Sequence, residues 1–335
     1  MDDSFPLTAC VTGATGFIGW RLCHRLFDLG YKVIAVGKIN NSVEQGRWDS
    51  LERSGIKFRE GDVTDTLFLH EAMEGCNLVF HLAAAQHEAD VGEEYFRKIN
   101  VEGTGNVLEE AIKAGVSRFV HGSTIGVYGA AMEGELSEES ELQPTDHYGR
   151  TKLAGEQLAL SYRDRMDIAV VRISETYGPG DRRLLKLFRG IKKGTFFVAG
   201  SGENIHQLIF VDDLVEGLLA AARKPEAVGQ LYVLAGSERL TTNRMCNDVA
   251  CALGSAKKLL RLPYLPLRII IGVAEKVCVK LGAQPPIKVR SLDFFTKSFF
   301  FRQDKARNQL RFIPATSFVV GAKKTAEWYR QQGLL

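Results

Sequence analysis

The chain has 335 residues, with 43 Lys and Arg against 40 Asp and Glu, a formal net charge of +3, 45% hydrophobic residues and 25% charged ones. That length holds one large or two modest domains, and the composition excludes disorder as the main state. The charge is nearly balanced and reads as spread along the chain, so neither nucleic acid nor an anionic membrane surface is expected as a partner.

Strand and helix patterns alternate from the start. Leu7–Thr12 is an apolar strand. Ile18, Leu22, Leu26 and Leu29 recur at helical spacing, and Gly30 closes that helix. Strands follow at Lys32–Val36, Lys57–Glu60 and Leu78–Leu82. Asn100–Ala114 is a long amphipathic helix, Arg118–His121 a fifth strand, Tyr148–Tyr162 a helix and Ile168–Ile173 a sixth strand. The alternation predicts an α/β fold, a Rossmann-type doubly wound parallel sheet with helices on both faces. Beyond Tyr177-Gly178-Pro179-Gly180 the segments shorten, with strands at Leu208–Val211 and Gln230–Leu234 among helices. Residues 1–175 are therefore expected to form the dinucleotide-binding domain. Residues 176–335 are expected to form a smaller C-terminal α/β substrate lobe, interleaved with the end of the sheet.

The six cysteines make no C-x-x-C and no metal-ligand spacing, and Cys10 and Cys23 read as core thiols. A reduced, cytoplasmic setting is expected. The acidic start Met1-Asp2-Asp3-Ser4 leads into a strand pattern, so no signal peptide is expected. Leu265–Leu281 is apolar but broken by Arg268, Glu275, Lys276 and Lys280, which predicts an amphipathic helix and no membrane span. Contact with a membrane surface is the lesser reading of that helix.

Thr12-Gly13-Ala14-Thr15-Gly16-Phe17-Ile18-Gly19 links the first strand to the first helix as G-x-x-G-x-x-G. Such glycines permit a tight turn and let a pyrophosphate approach the backbone at a helix N-terminus. The acid expected to end the second strand and hold an adenosine ribose is missing, because the chain reads Val36-Gly37-Lys38. Lys38 there suits a 2′-phosphate, so NADP is expected in preference to NAD.

Tyr148 and Lys152 form Y-x-x-x-K, which shares one helix face. A nearby ammonium should lower the phenol toward working pH and make Tyr148 a general acid and base. Thr124, in Ser123-Thr124-Ile125-Gly126-Val127-Tyr128-Gly129 after the fifth strand, could hydrogen-bond the same substrate oxygen. The seven histidines form no H-E-x-x-H, and no metal is implied. His81 and His121 read as structural. Arg182 and Arg183 read equally as anion ligands or an exposed helix start. Phe294, Phe295, Phe299, Phe300 and Phe301 read mainly as small-lobe core.

With Gly61-Asp62-Val63, Phe80-His81-Leu82-Ala83-Ala84, Asn100-Val101-Glu102-Gly103-Thr104 and Val211-Asp212-Asp213 in order, the chain resembles an extended short-chain dehydrogenase/reductase. The resemblance is to the epimerase/dehydratase and 3β-hydroxysteroid dehydrogenase-like group and covers nearly the whole chain. It implies an NAD(P) cofactor, a triad of Thr124, Tyr148 and Lys152, and a homodimer formed through two helix pairs. It implies that Gly13, Thr15, Gly16, Phe17, Ile18 and Gly19 cradle the cofactor and that Asp62 and Val63 touch its adenine. Ala83, Ala84, Ala85 and Asn100 would lie along it, with Lys152 also on the nicotinamide ribose.

Dehydratases of that family place Asp-Glu after the catalytic Thr, where this chain has Ile125-Gly126, so dehydration is discounted. Sugar-nucleotide epimerases carry R-x-x-N after the sixth strand and an Arg before V-D-D. Here the matching positions are Glu175 and His206, and a carboxylate near a diphosphate is repulsive. Ser123, Thr124, Glu175 and His206 are the substrate-side candidates. An alcohol/ketone oxidoreductase is expected, with a sugar or nucleotide-sugar epimerase as the alternative.

Overall fold

The computed structural model describes residues 7–86, 91–256, 259–281 and 289–335. Seven parallel strands form one sheet: β1 (Thr8–Thr12), β2 (Lys32–Gly37), β3 (Lys57–Glu60), β4 (Leu78–His81), β5 (Arg118–Thr124), β6 (Asp167–Ile173) and β7 (Gln230–Leu234). Their spatial order is β3-β2-β1-β4-β5-β6-β7. The chain winds outward from β1 in one direction and from β4 in the other, so a topological switch lies between them. Ligands bind at the strand carboxyl ends beside such a switch.

The inner strands are largely apolar on both faces because helices cover both, whereas the edge strand β3, Lys57–Glu60, has no buried residue. Ala9 and Val11 of β1 enter one core with Leu22 and Leu26 of the helix Phe17–Asp28 and Leu214 and Leu218 of the helix Val211–Arg223. Cys10 points the other way, into a core with Leu69 of Thr66–Met73 and Val107, Leu108 and Ala111 of Gly103–Lys113. This period of two is the pleat itself. Cys10 and Cys23 are buried free thiols.

Two differences from the sequence reading have local causes. The expected helix Asn100–Ala114 begins earlier, at Glu93–Arg97, passes a π-turn over Lys98–Glu102 and continues as Gly103–Lys113. Its apolar spacing slips at the π-turn, which hides the first turns from a 3.6-residue search. The expected strand Leu208–Val211 shrinks to Ile209–Phe210, because Val211 already opens a helix.

Past residue 175, the helix Val211–Arg223 and strand β7 still belong to the main sheet and its core. Ala306, Leu310 and Phe312 also join that core, while Phe188, Val198, Phe210, Met245, Phe318 and Tyr329 build a separate one. Short strand pairs stitch the parts together, including Gly134–Leu136 with Phe299–Phe301. The helix Tyr264–Lys280 lies where amphipathic spacing predicts it, and no helix among the described residues is long and apolar enough to cross a membrane.

Candidate active site

The carboxyl ends of β1, β4, β5 and β6 open into one cleft of about 1150 Å³. The glycine loop forms its floor. Gly13 has φ +72°, and a Cβ there would sit 2.7 Å from the Ala83 amide nitrogen, so only glycine lets β1 turn beside the loop after β4. The helix Phe17–Asp28 starts at Gly16 with no side-chain cap. Gly16, Phe17 and Ile18 line the cleft, so the helix start offers uncapped N–H groups of the kind that hold phosphate. Thr15 donates its hydroxyl to the Lys38 carbonyl (2.8 Å), and the Arg47 guanidinium bridges the carbonyls of Thr15 and Gly180 (2.9 Å each). The loop, the cleft and these donors fit a dinucleotide diphosphate.

Lys38, Asn40, Asn41, Glu44, Asp62 and Val63 line the end beside β2 and β3. Lys38 is not the free cation that the sequence suggests. Its ammonium lies 2.7 Å from Asp62 Oδ2, and this bond raises Lys38 above its ordinary pKa. Asp62 Oδ1 also accepts from the Thr64 amide and hydroxyl, at 2.9 and 3.0 Å. The parallel pairing of β3 with β2 thus sets an acid beside Lys38 at this end of the cleft.

At the other end, β5 carries Thr124, and Thr124 pairs in register with Ile173 of β6. The helix His147–Ser161, capped by Asp146 Oδ1 on the Gly149 amide (2.8 Å), brings Tyr148 and Lys152 to the same wall. A buried network fixes that helix: Glu156 pairs with Arg172 at 2.7 Å and accepts from the Ser123 hydroxyl at 2.7 Å. Arg172 also donates to the Tyr128 phenol oxygen. Ser123 lines the cleft, but its hydroxyl is already engaged.

The lowering of Tyr148 expected from Lys152 is not seen in the protein alone; the shift runs upward. Desolvation pushes the Tyr148 phenol up to about 12, opposed by the Thr124 hydrogen bond. Burial lowers the Lys152 ammonium to about 8, and it donates to the Gly122 carbonyl at 2.6 Å.

Glu175 and His206 both line the cleft, with His206 Nδ1 3.8 Å from Glu175 Oε2. Asn204 Nδ2 lies 3.1 Å from His206 Nε2 and also donates to the carbonyls of Phe294 and Lys297. The Thr242 hydroxyl, 3.0 Å from Nε2, spends its proton on Asn204 Oδ1 (2.7 Å), so it accepts from the imidazole. Burial would raise the Glu175 carboxyl, but the imidazole beside it, with Arg183, holds it below its ordinary range.

Of the cofactor candidates, Gly13, Thr15, Gly16, Phe17, Ile18, Gly19, Lys38, Asp62, Val63, Ala83, Ala84, Ala85, Tyr148 and Lys152 line the cleft, while Asn100 lies behind it. Asn100 accepts from the Ala85 amide (2.8 Å) and donates to the Ala85 carbonyl and the Thr151 hydroxyl (3.0 Å each). It ties the loop after β4 to the Tyr148 helix. Arg182 and Arg183 both line the cleft, and so do Phe294 and Phe299, whereas Phe295 and Phe301 pack in cores. Arg47 and Glu44 were not legible as site residues, because neither sits in a motif. Among the described residues no cluster could hold a metal.

The chain is similar to a putative dihydroflavonol 4-reductase of Synechocystis sp., with 29% identity over 96% of this chain and 94% of the relative. It is 26% identical to a UDP-glucose 4-epimerase of Vibrio cholerae over 98% of both chains. The crystal structure of a UDP-glucuronic acid 4-epimerase from Bacillus cereus in complex with NAD superimposes with TM-score 0.78 at 24% identity, covering 97% of this chain and 99% of that one. That likeness bears on the fold. The NAD dependent epimerase/dehydratase family matches residues 9–235, and the chain is an enzyme of that family.

Proposed function

We propose that the protein is an NAD-dependent oxidoreductase that interconverts a secondary alcohol and a ketone. Thr124, Tyr148 and Lys152 carry the chemistry. When bound, NAD supplies a nicotinamide that exchanges hydride with the carbinol carbon. The hydroxyls of Thr124 and Tyr148 hold the substrate oxygen, and Tyr148 takes its proton in oxidation and returns it in reduction. Lys152 favours the phenolate by charge. NAD replaces the NADP expected from sequence, because the Lys38–Asp62 pair presents no free cation to a 2′-phosphate. The 3β-hydroxysteroid dehydrogenase-like branch and a homodimer remain part of this reading.

The observation that carries the choice of reaction is the Glu175–His206 pair at the substrate end. An ionised carboxylate in a low-dielectric cleft opposes a diphosphate. Arg172 cannot neutralise it, since its guanidinium is bound to Glu156. The substrate is accordingly a hydroxylated or keto compound without a nucleotide diphosphate. The epimerase reading draws support from Arg182 and Arg183, which line the same cleft and could hold a diphosphate.

A thermal-shift panel at saturating NAD tests the choice. Sterols, cyclic ketones and flavonols are compared with UDP-, GDP- and dTDP-sugars. A ligand that binds only the native state raises stability by RT ln(1 + [L]/Kd). The oxidoreductase reading expects the first group to shift the melt. A shift from nucleotide sugars alone transfers the assignment to the epimerase.

A further inference from the structure

Among the described residues, the segment from Leu260 to Leu281 holds half of the fourteen exposed large hydrophobic side chains. Most of them sit on the helix Tyr264–Lys280, which packs Leu267 and Ile271 against Phe197, Ala199 and Leu292. That contact accounts for one face. Leu265, Ile269, Val273, Val277 and Leu281, spaced every four residues, and Ile270 beside them are between 49% and 77% exposed. Part of this face is a shallow groove between the helix and Val289, edged by Arg268 and Lys276 two turns apart.

The charge of this region departs from the even spread expected from composition. Residues 257–290 contain eight Lys and Arg and one acid, Glu275, a local net charge of +7. The rest of the chain therefore carries −4. Glu275 accepts a hydrogen bond from the Val289 amide, inside the small core contact.

We propose that this face docks the protein onto the surface of an anionic phospholipid bilayer. The helix lies in the interface, with its exposed apolar side chains at the acyl boundary and Arg268 and Lys276 at the headgroup phosphates. Apolar insertion combined with basic flanks is the chemistry of interfacial helices. At 17 residues the helix is about 25 Å long, suited to lying on a bilayer and too short and too charged to cross it. A second copy of the chain fits less well, because an isologous contact here would set one +7 segment against another.

The test is co-sedimentation of the full chain with vesicles of phosphatidylcholine alone or mixed with phosphatidylglycerol. The proposal expects roughly tenfold or stronger partitioning onto the anionic vesicles, weakening as salt rises. Two variants should each lose about tenfold with unchanged thermal melts: Ile269→Glu/Val273→Glu, which removes the apolar contact, and Arg268→Glu/Lys276→Glu, which reverses the charge. Equal binding to both vesicle types, or variants that bind like the parent, would overturn it. So would absent vesicle binding together with self-association that Ile269→Glu/Val273→Glu abolishes, which assigns the face to a second copy.

Discussion

Tyr148 and Lys152 are both pushed by burial away from their charged forms. The phenol is pushed up to about 12 and the ammonium down to about 8 by the same burial. A cationic nicotinamide, if bound against this wall, would favour the phenolate and oppose burial. Tyr148→Phe should lower turnover roughly 10²-fold or more and leave cofactor affinity nearly unchanged, as kinetics and cofactor titration will show. Asp62 offers a second residue-level test. Asp62→Asn releases Lys38 from its ion pair, and calorimetric titration should then show the NADP-to-NAD affinity ratio rising about tenfold. An unchanged ratio would mean that Lys38 does not reach the 2′ position.

The π-turn Lys98–Glu102 is the element that sequence periodicity misread, and its consequence is Asn100. Asn100 is buried and holds both backbone polar groups of Ala85. Asn100→Ala would strand them away from water, at about 2–3 kcal/mol, measured as a lower denaturation midpoint with an unchanged m value. Other elements were easier to read. The strands around the glycine loop announced themselves because burial on both faces writes continuous apolar runs. The joint placement of Tyr148 and Lys152 on the cleft wall was legible because Y-x-x-x-K shares one helix face. Arg47 was not, since its role depends on carbonyls of Thr15 and Gly180, distant in sequence and adjacent only in the fold. The Lys38–Asp62 pair was hidden for the same reason, because parallel pairing of β2 with β3 creates it.

At the scale of the whole molecule, the sheet's centre is acid-sensitive. His81 Nε2 donates to the Thr104 hydroxyl, which itself donates to the Asn100 carbonyl, and Nδ1 accepts from Thr12. That ring must be neutral, and burial, with Lys152, lowers its pKa to about 3. Burial, with Lys152 and His81, also lowers His121, which is fully buried. The unfolded chain binds these protons from about pH 6.5 downward and the folded chain does not, so stability is full above that pH and falls as acid is added. Each histidine contributes up to about 2 kcal/mol of this loss by pH 5. Denaturation at pH 7 and pH 5 should show a smaller acid penalty in His121→Phe than in the parent. Light scattering should give the mass of a homodimer at micromolar concentration, and a concentration-independent monomer would remove that part of the proposal. The fate of the hydride tests the central claim most directly. With excess NAD and a substrate taken from the thermal-shift panel, reduced cofactor should accumulate in solution, one molecule for each ketone formed. Conversion of that substrate to its epimer, with no net NADH released, would contradict the account.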